Sequence, residues 1–212
     1  MCIVLLMRLL SSFAYPRLAV VREDGIFLHD WGLIPSWVWN QLTANDLRTK
    51  TLNAEGEAVF EKPTFRESIA QQRCLLPVSG FYERREVNGV KYPYYIQHKE
   101  QDYFSLRSLY DTSINKDTGE IRNTFRIITT PANALMEKIH NLKKRMPLIL
   151  SPENEMKWLE PGQRPEEKKK IKVYPEAGMK AYAISRDANN AHQNRDVPEI
   201  MKKVMYPGLA DV

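Results

Sequence analysis

Four stretches far apart in the chain, together with a cysteine at position 2, hold the residues best suited to chemistry. The opening "MCIV" places Cys2 directly behind the first methionine. "SGFYERR" closes an apolar run on Glu83, and a carboxylate in such company is either solvent-exposed or kept for work. "IHNLKKRMP" sets His140 beside Lys143, Lys144 and Arg145, an imidazole next to a cationic loop. A single histidine is more often structural than catalytic, and His29, His98 and His192 have no such company. "TLNAEGEAVF" holds Asn53 between apolar neighbours, where a lone asparagine would read as a turn or a cap. "DWGLIPSWVWN" gathers Trp31, Trp37 and Trp39 around Pro35. Those rings are either core aromatics or a ledge on which bases stack, because an aromatic face accepts any base.

Cys2 admits three readings: an accident, part of a secretion signal, or a nucleophile. The signal reading is weak. No basic residue precedes the apolar run, and Arg8 interrupts it early. The run is expected to be a buried strand, and no stretch is long enough to span a bilayer. Cys2 and Cys74 are the only cysteines, too few for a disulfide scaffold and suited to a reducing cytoplasm. Hydrophobic residues make up 43% and charged residues 27%, the balance of a folded globular protein. The 212 residues are expected to form one domain, residues 1–212. A net charge of +5 permits an acidic partner such as nucleic acid without requiring one.

The elements that must position these residues are mostly strands. "AVVREDGIFLHDWG" reads as a hairpin turning at Asp24-Gly25, and "RREVNGVKYPYYIQ" as one turning at Asn88-Gly89. "YFSLRSLYD" and "NTFRIITT" flank a loop with a bend at Asp117-Thr118-Gly119, and "RCLLPVSGFYE" and "MPLILS" are further strand candidates. Helices are fewer. "TFRESIAQQ" carries Thr64 and Glu67 in a reciprocal capping pattern. "TPANALMEKI" offers Thr130 as cap and Pro131 at the first helical position, and "SPENEMKWLE" repeats the device with Ser151 and Pro152. "VPEIMKKVM" is a candidate last helix, and "RPEEKKKIK" reads as a solvated face or loop. Without βαβ alternation, the pattern predicts an α+β domain built on a predominantly antiparallel, barrel-like sheet with a few short flanking helices.

The segments together, with "WGLIPSW", "LNA-x-x-E", "CLLPVSGFYE", "TTPAN" and "H-x-x-x-x-RMP" following the initial Met-Cys in order, closely resemble the SRAP (SOS-response-associated peptidase) family. "YPRLAV" and "RDVPEI" extend the resemblance over nearly the whole chain. The resemblance implies removal of Met1, leaving Cys2 with a free amine and a thiol on one residue. The amine attacks an aldehyde, such as a ring-opened abasic sugar, to give an imine, and the thiol closes onto the same carbon as a thiazolidine. A terminal amine has a pKa of about 7.7–8.0, low enough to be partly unprotonated at neutral pH. By the same resemblance Asn53 orients the terminal residue, Glu83 moves protons during ring opening and imine formation, and His140 assists at the sugar. It further implies DNA contacts at Trp31, Pro35, Trp37, Thr130 and Arg145, and Arg84, which the family pattern lacks, is expected to add one.

The sequence departs from the family pattern at three places. Cys2-Ile3-Val4 stands where Cys-Gly-Arg is usual, Glu55 replaces the arginine of "N-A-R", and Arg84 replaces an aromatic residue. The expected function is a DNA-repair protein that senses abasic sites in single-stranded DNA and crosslinks to them through Cys2. A cysteine peptidase or autoprotease acting through Cys2 is the alternative. A non-reactive single-stranded nucleic-acid-binding module is another, motivated by Val4 and Glu55. No cofactor and no metal are expected, nor any membrane association, and the protein is expected to be a cytoplasmic monomer.

Overall fold

Alternating apolar residues and tight turns build thirteen strands among the described residues. The computed structural model describes residues 2–5, 8–59, 71–160, 172–190 and 197–209. In chain order the elements are β1 Cys2–Leu5, β2 Arg8–Ser11, β3 Arg17–Arg22, β4 Gly25–Trp31, α1 Gln41–Lys50, β5 Asn53–Glu55, α2 Gly56–Val59, β6 Arg73–Val78, β7 Gly80–Val87, β8 Val90–His98, β9 Phe104–Ile114, β10 Ile121–Pro131, α3 Ala134–Ile139, β11 Arg145–Pro147, β12 Ile149–Leu150, α4 Pro152–Leu159 and β13 Met179–Ala183.

Five of these strands close a ring. β10 pairs β4, β4 pairs β3, β3 pairs β6, β6 pairs β9, and β9 returns to β10. The closure at Thr124↔Asp30 and Phe125↔Trp31 is parallel, and the other four pairings are antiparallel. Closing a sheet removes the unpaired edges that invite aggregation. A second antiparallel sheet runs in the order β13, β8, β7, β1, β2. The expected barrel-like α+β domain is therefore what forms.

The first hairpin turns one residue earlier than expected, at Glu23-Asp24, because Gly25 already pairs with Arg22; the second turns where the sequence predicts. Asn88 and Gly89 have φ of +50° and +76°, the left-handed pair that a two-residue hairpin needs. The opening apolar run is a hairpin, β1 on β2, rather than one strand. Three helix readings change. Thr130 and Pro131 do not start a helix, because β10 continues through them to pair with Met146 and Arg145. Asn133 caps α3 instead, its Oδ1 accepting the Met136 N–H at 2.9 Å. Pro198–Met201 is a single 3-10 turn. α4 begins at Pro152 as expected, although the Ser151 hydroxyl donates to Glu153 rather than capping. The Thr64–Glu67 segment lies outside the described residues, as does all of the lysine run but Lys172.

The interior cluster joins both sheets, with Ile3, Leu76, Phe81, Ile96, Leu106 and Ile127 fully buried in it. Trp31 lies there too, and its ring stacks on Phe125 at 6.0 Å between centroids. A second cluster lies under α4, where Trp158 donates its indole N–H to the Cys74 carbonyl at 3.0 Å.

Candidate active site

The backbone register brings the start of the chain to the acid. Cys2 pairs with Tyr82 and Ile3 with Phe81, so β1 begins beside Glu83. Because the pairing is antiparallel, the amine side of Cys2 runs along β7 in the direction of Glu83. Phe81 and Glu83 share a face of β7, since successive residues point to opposite sides. Phe81 is fully buried, and Glu83 follows it at the rim with a side chain 13% exposed.

His140 arrives from the end of α3. Its Nε2 lies 3.9 Å from Glu83 Oε2. Its Nδ1 lies 2.7 Å from the Arg145 carbonyl oxygen. A carbonyl only accepts, so Nδ1 carries the proton and the lone pair of the neutral ring sits on Nε2, toward Glu83. That tautomer turns the basic nitrogen of His140 toward the Glu83 carboxyl group.

Asn53 lies on β5, opposite Ile127 of β10. Ile127 belongs to the interior cluster with Ile3 and Phe81. The Asn53 Oδ1 is buried and has no hydrogen-bond partner among the described residues. A buried carbonyl oxygen left without a donor costs about 1–3 kcal/mol. Trp31 sets the height of that strand: its indole N–H donates to the Leu52 carbonyl at 2.8 Å.

Arg145 opens β11, opposite Pro131. Its Nη2 contacts Glu57 Oε2 at 3.0 Å, the Thr129 carbonyl at 2.9 Å and Thr129 Oγ1 at 3.2 Å. Glu57 is the glutamate of "LNA-x-x-E", and neither it nor Thr129 was singled out from the sequence.

Several expected DNA contacts lie elsewhere. Trp31 is fully buried and presents no face to a base; its ring is spent on Phe125 and its N–H on Leu52. Pro35 is buried as well. Thr130 is fully buried because it occupies an interior β10 position, whereas its neighbour Thr129 meets Arg145. Arg84 points to the face of β7 opposite Glu83, where its Nε donates to Asn189 at 2.8 Å. Trp37 and Trp39 remain exposed, 59% and 51%. Glu55 is exposed, in register with Thr129. Cys74 is wholly buried, and burial pushes its thiol far up, leaving it inert.

Residues 15–191 match the family model described as SOS response associated peptidase (SRAP). The chain belongs to the SRAP family. Among its relatives, this SRAP chain is 35% identical over 175 residues to abasic site processing protein YoqW of Bacillus subtilis, covering 81% of this chain and 74% of that one. It is 29% identical over 216 residues to abasic site processing protein HMCES of Xenopus tropicalis, covering 93% of this chain and 63% of that one. A crystal structure of a Bacteroides thetaiotaomicron protein superposes with a TM-score of 0.89 at 39% identity, covering 93% of this chain and 85% of that one. The SRAP match spans Asn53, Glu83, His140 and Arg145 and begins after Cys2.

Among the described residues no helix is long and apolar enough to cross a membrane.

Proposed function

We propose that this protein processes abasic sites in DNA, and that it does so by crosslinking itself to them in single strands through Cys2 once Met1 has been removed. The observation that carries the reading is the register of β1 on β7, which brings the backbone of Cys2 next to Glu83, itself 3.9 Å from His140. The names of the SRAP relatives, abasic site processing proteins, point the same way.

The chemistry follows from the groups present. The Cys2 amine adds to the C1′ aldehyde of the opened sugar, and loss of water gives the imine. The thiol then adds across the C=N bond: sulfur bonds to carbon, its proton goes to nitrogen, and the thiazolidine closes without any redox step. Glu83 takes the proton released by the attacking amine and returns it to the departing hydroxyl as water leaves. His140, with Nδ1–H committed to the Arg145 carbonyl, exchanges that proton through Nε2. Asn53 Oδ1 accepts from the terminal amine and holds its lone pair toward the sugar. Arg145 receives a phosphate, and exposed Trp37 stacks on an unpaired base.

The test is incubation with single-stranded DNA carrying one abasic site, followed by a denaturing gel and intact mass spectrometry. The expected result is a protein lacking Met1 and an adduct heavier by one DNA strand less one water. Cys2→Ala gives no stable adduct, although its free amine still forms an imine that borohydride traps. A protein that keeps Met1 and gives no shifted band overturns the reading. Cleavage of peptides by the same Cys2 would favour the peptidase activity instead.

A further inference from the structure

The geometry points to Asn141 as the positioning residue that sets the distance between His140 and Glu83, an inference that rests on the crosslinking reading above. β7 is bordered by β8 along one edge and, near its start, by β1 along the other. The hairpin closes at Val87↔Val90 across Asn88-Gly89, so the Val87 backbone faces β8. Backbone groups alternate along a strand, and the N–H and C=O of Glu86 therefore face the opposite edge. Among the described residues β1 occupies that edge only as far as Tyr82.

Asn141 occupies it at Glu86. Its Oδ1 accepts the Glu86 N–H at 3.1 Å, and its Nδ2 donates to the Glu86 carbonyl at 2.8 Å. A primary amide carries donor and acceptor in one plane, so this side chain pairs with the strand edge as a neighbouring backbone would. The two residues are 55 positions apart in sequence.

What the clamp joins gives it meaning. Asn141 directly follows His140, and Glu86 lies three residues beyond Glu83 on the same strand. The other bonds to His140 are local. Its N–H donates to Met136 at 2.7 Å, its carbonyl accepts from Lys144 N–H at 2.8 Å, and its Nδ1 donates to Arg145. These fix the imidazole within its own loop. Met136 and Ile139 pack the helix into the cluster that holds Phe81, and Asn141 adds the hydrogen bonds that tie the following loop to the β7 edge. At 3.9 Å the Nε2–Oε2 separation is outside direct hydrogen-bond range. A small movement of the loop decides whether the proton can pass.

The test combines two readouts. In crosslinking assays Asn141→Ala slows adduct formation by about 10²-fold, the loss typical of a misplacement near 1 Å. In a His140→Ala background the same substitution slows it no further, because the residue acts through the imidazole. A merely structural role would multiply the loss in both backgrounds. Asn141→Asp keeps the volume and the acceptor while losing the donor, so it supplies a folded variant of intermediate rate if alanine does not fold. The second readout needs no DNA. In ¹⁵N NMR of the free protein, Glu83→Gln shifts the His140 Nε2 resonance, and Asn141→Ala or Asn141→Asp suppresses that response. Wild-type crosslinking rates in both Asn141 variants, additive losses with His140→Ala, or an unchanged NMR response would each overturn the assignment. If the wild-type protein forms no adduct, the crosslinking reading falls, and the NMR response still decides whether Asn141 positions the pair.

Discussion

Glu57 grips both arms of the Arg145 guanidinium, Oε2 at 3.0 Å from Nη2 and Oε1 at 3.4 Å from Nη1. A phosphate reaching Arg145 must displace this carboxylate or share the cation with it. The pair is partly solvated, with side chains 23% and 47% exposed, so its contribution is at most about 1 kcal/mol and a phosphate can compete.

Glu57→Gln is therefore expected to tighten non-covalent binding of single-stranded DNA several-fold. It should also steepen the salt dependence, by about 0.7 in the log–log slope for one more phosphate neutralised. Glu55→Arg acts in the same direction from two residues away. Arg145→Ala weakens binding and flattens the slope. Fluorescence anisotropy at a series of salt concentrations measures all three. A Glu57→Gln slope equal to wild type would mean that no phosphate reaches Arg145.

The proton-moving pair gives a second set of expectations. Glu83→Gln preserves shape while removing the titrating group, and it should slow adduct formation by about 10²–10⁴-fold. His140→Ala removes the imidazole opposite that carboxylate and should also slow formation or reversal of the adduct. Quenched time courses on denaturing gels supply both rates. Wild-type kinetics in both variants would reduce the 3.9 Å pair to a structural contact.

How much of this could be read from the sequence depends on the reach of each signal. The hairpin at Asn88-Gly89 was legible because left-handed backbone at a tight turn is a local demand, whereas the one expected at Asp24-Gly25 turns one residue earlier, at Glu23-Asp24, without it. Asn53, Glu83, His140 and Arg145 were visible through their motifs. The fate of Trp31 was not, because only the parallel closure of β4 onto β10 decides that its ring is enclosed. Thr130 and Thr129 differ by one position, and strand register alone determines which meets Arg145. Glu57 and Asn141 escaped notice because their partners lie 88 and 55 residues away. α1 was missed since Ala44 is its one buried residue, leaving little apolar period to detect; Asn40, whose Oδ1 caps Thr43, was the available clue.

The two thiols should behave as opposites. Cys74 is fully enclosed, with its thiol held protonated by burial, so a thiol reagent should leave it untouched in the folded protein. Labelling of native protein followed by peptide mapping is expected to find the modification on Cys2, with Cys74 reacting only after denaturation. Cys74→Ala should leave the crosslinking rate at the wild-type value. Loss of crosslinking in that variant, with the fold intact, would assign the chemistry to the wrong cysteine.

Acid should destabilise the fold through His29. This imidazole is 1% exposed on β4, edge-on to Tyr110 at 5.4 Å. Burial, reinforced by the Arg22 charge, holds its pKa at about 4, against an ordinary value of 6.5. In the unfolded chain the ring takes up a proton near 6.5, whereas in the fold it stays neutral down to about 4. Between those values the unfolded state binds more protons, so stability falls as pH falls through that window and this source adds no further loss below it. A pKa lowered from 6.5 to about 4 corresponds to a loss of up to about 3 kcal/mol. His29→Leu removes the titration, and the variant should hold its stability better than wild type between pH 6.5 and about 4. Urea unfolding at a series of pH values gives both curves. Parallel losses across the window would show that a different group takes up the proton.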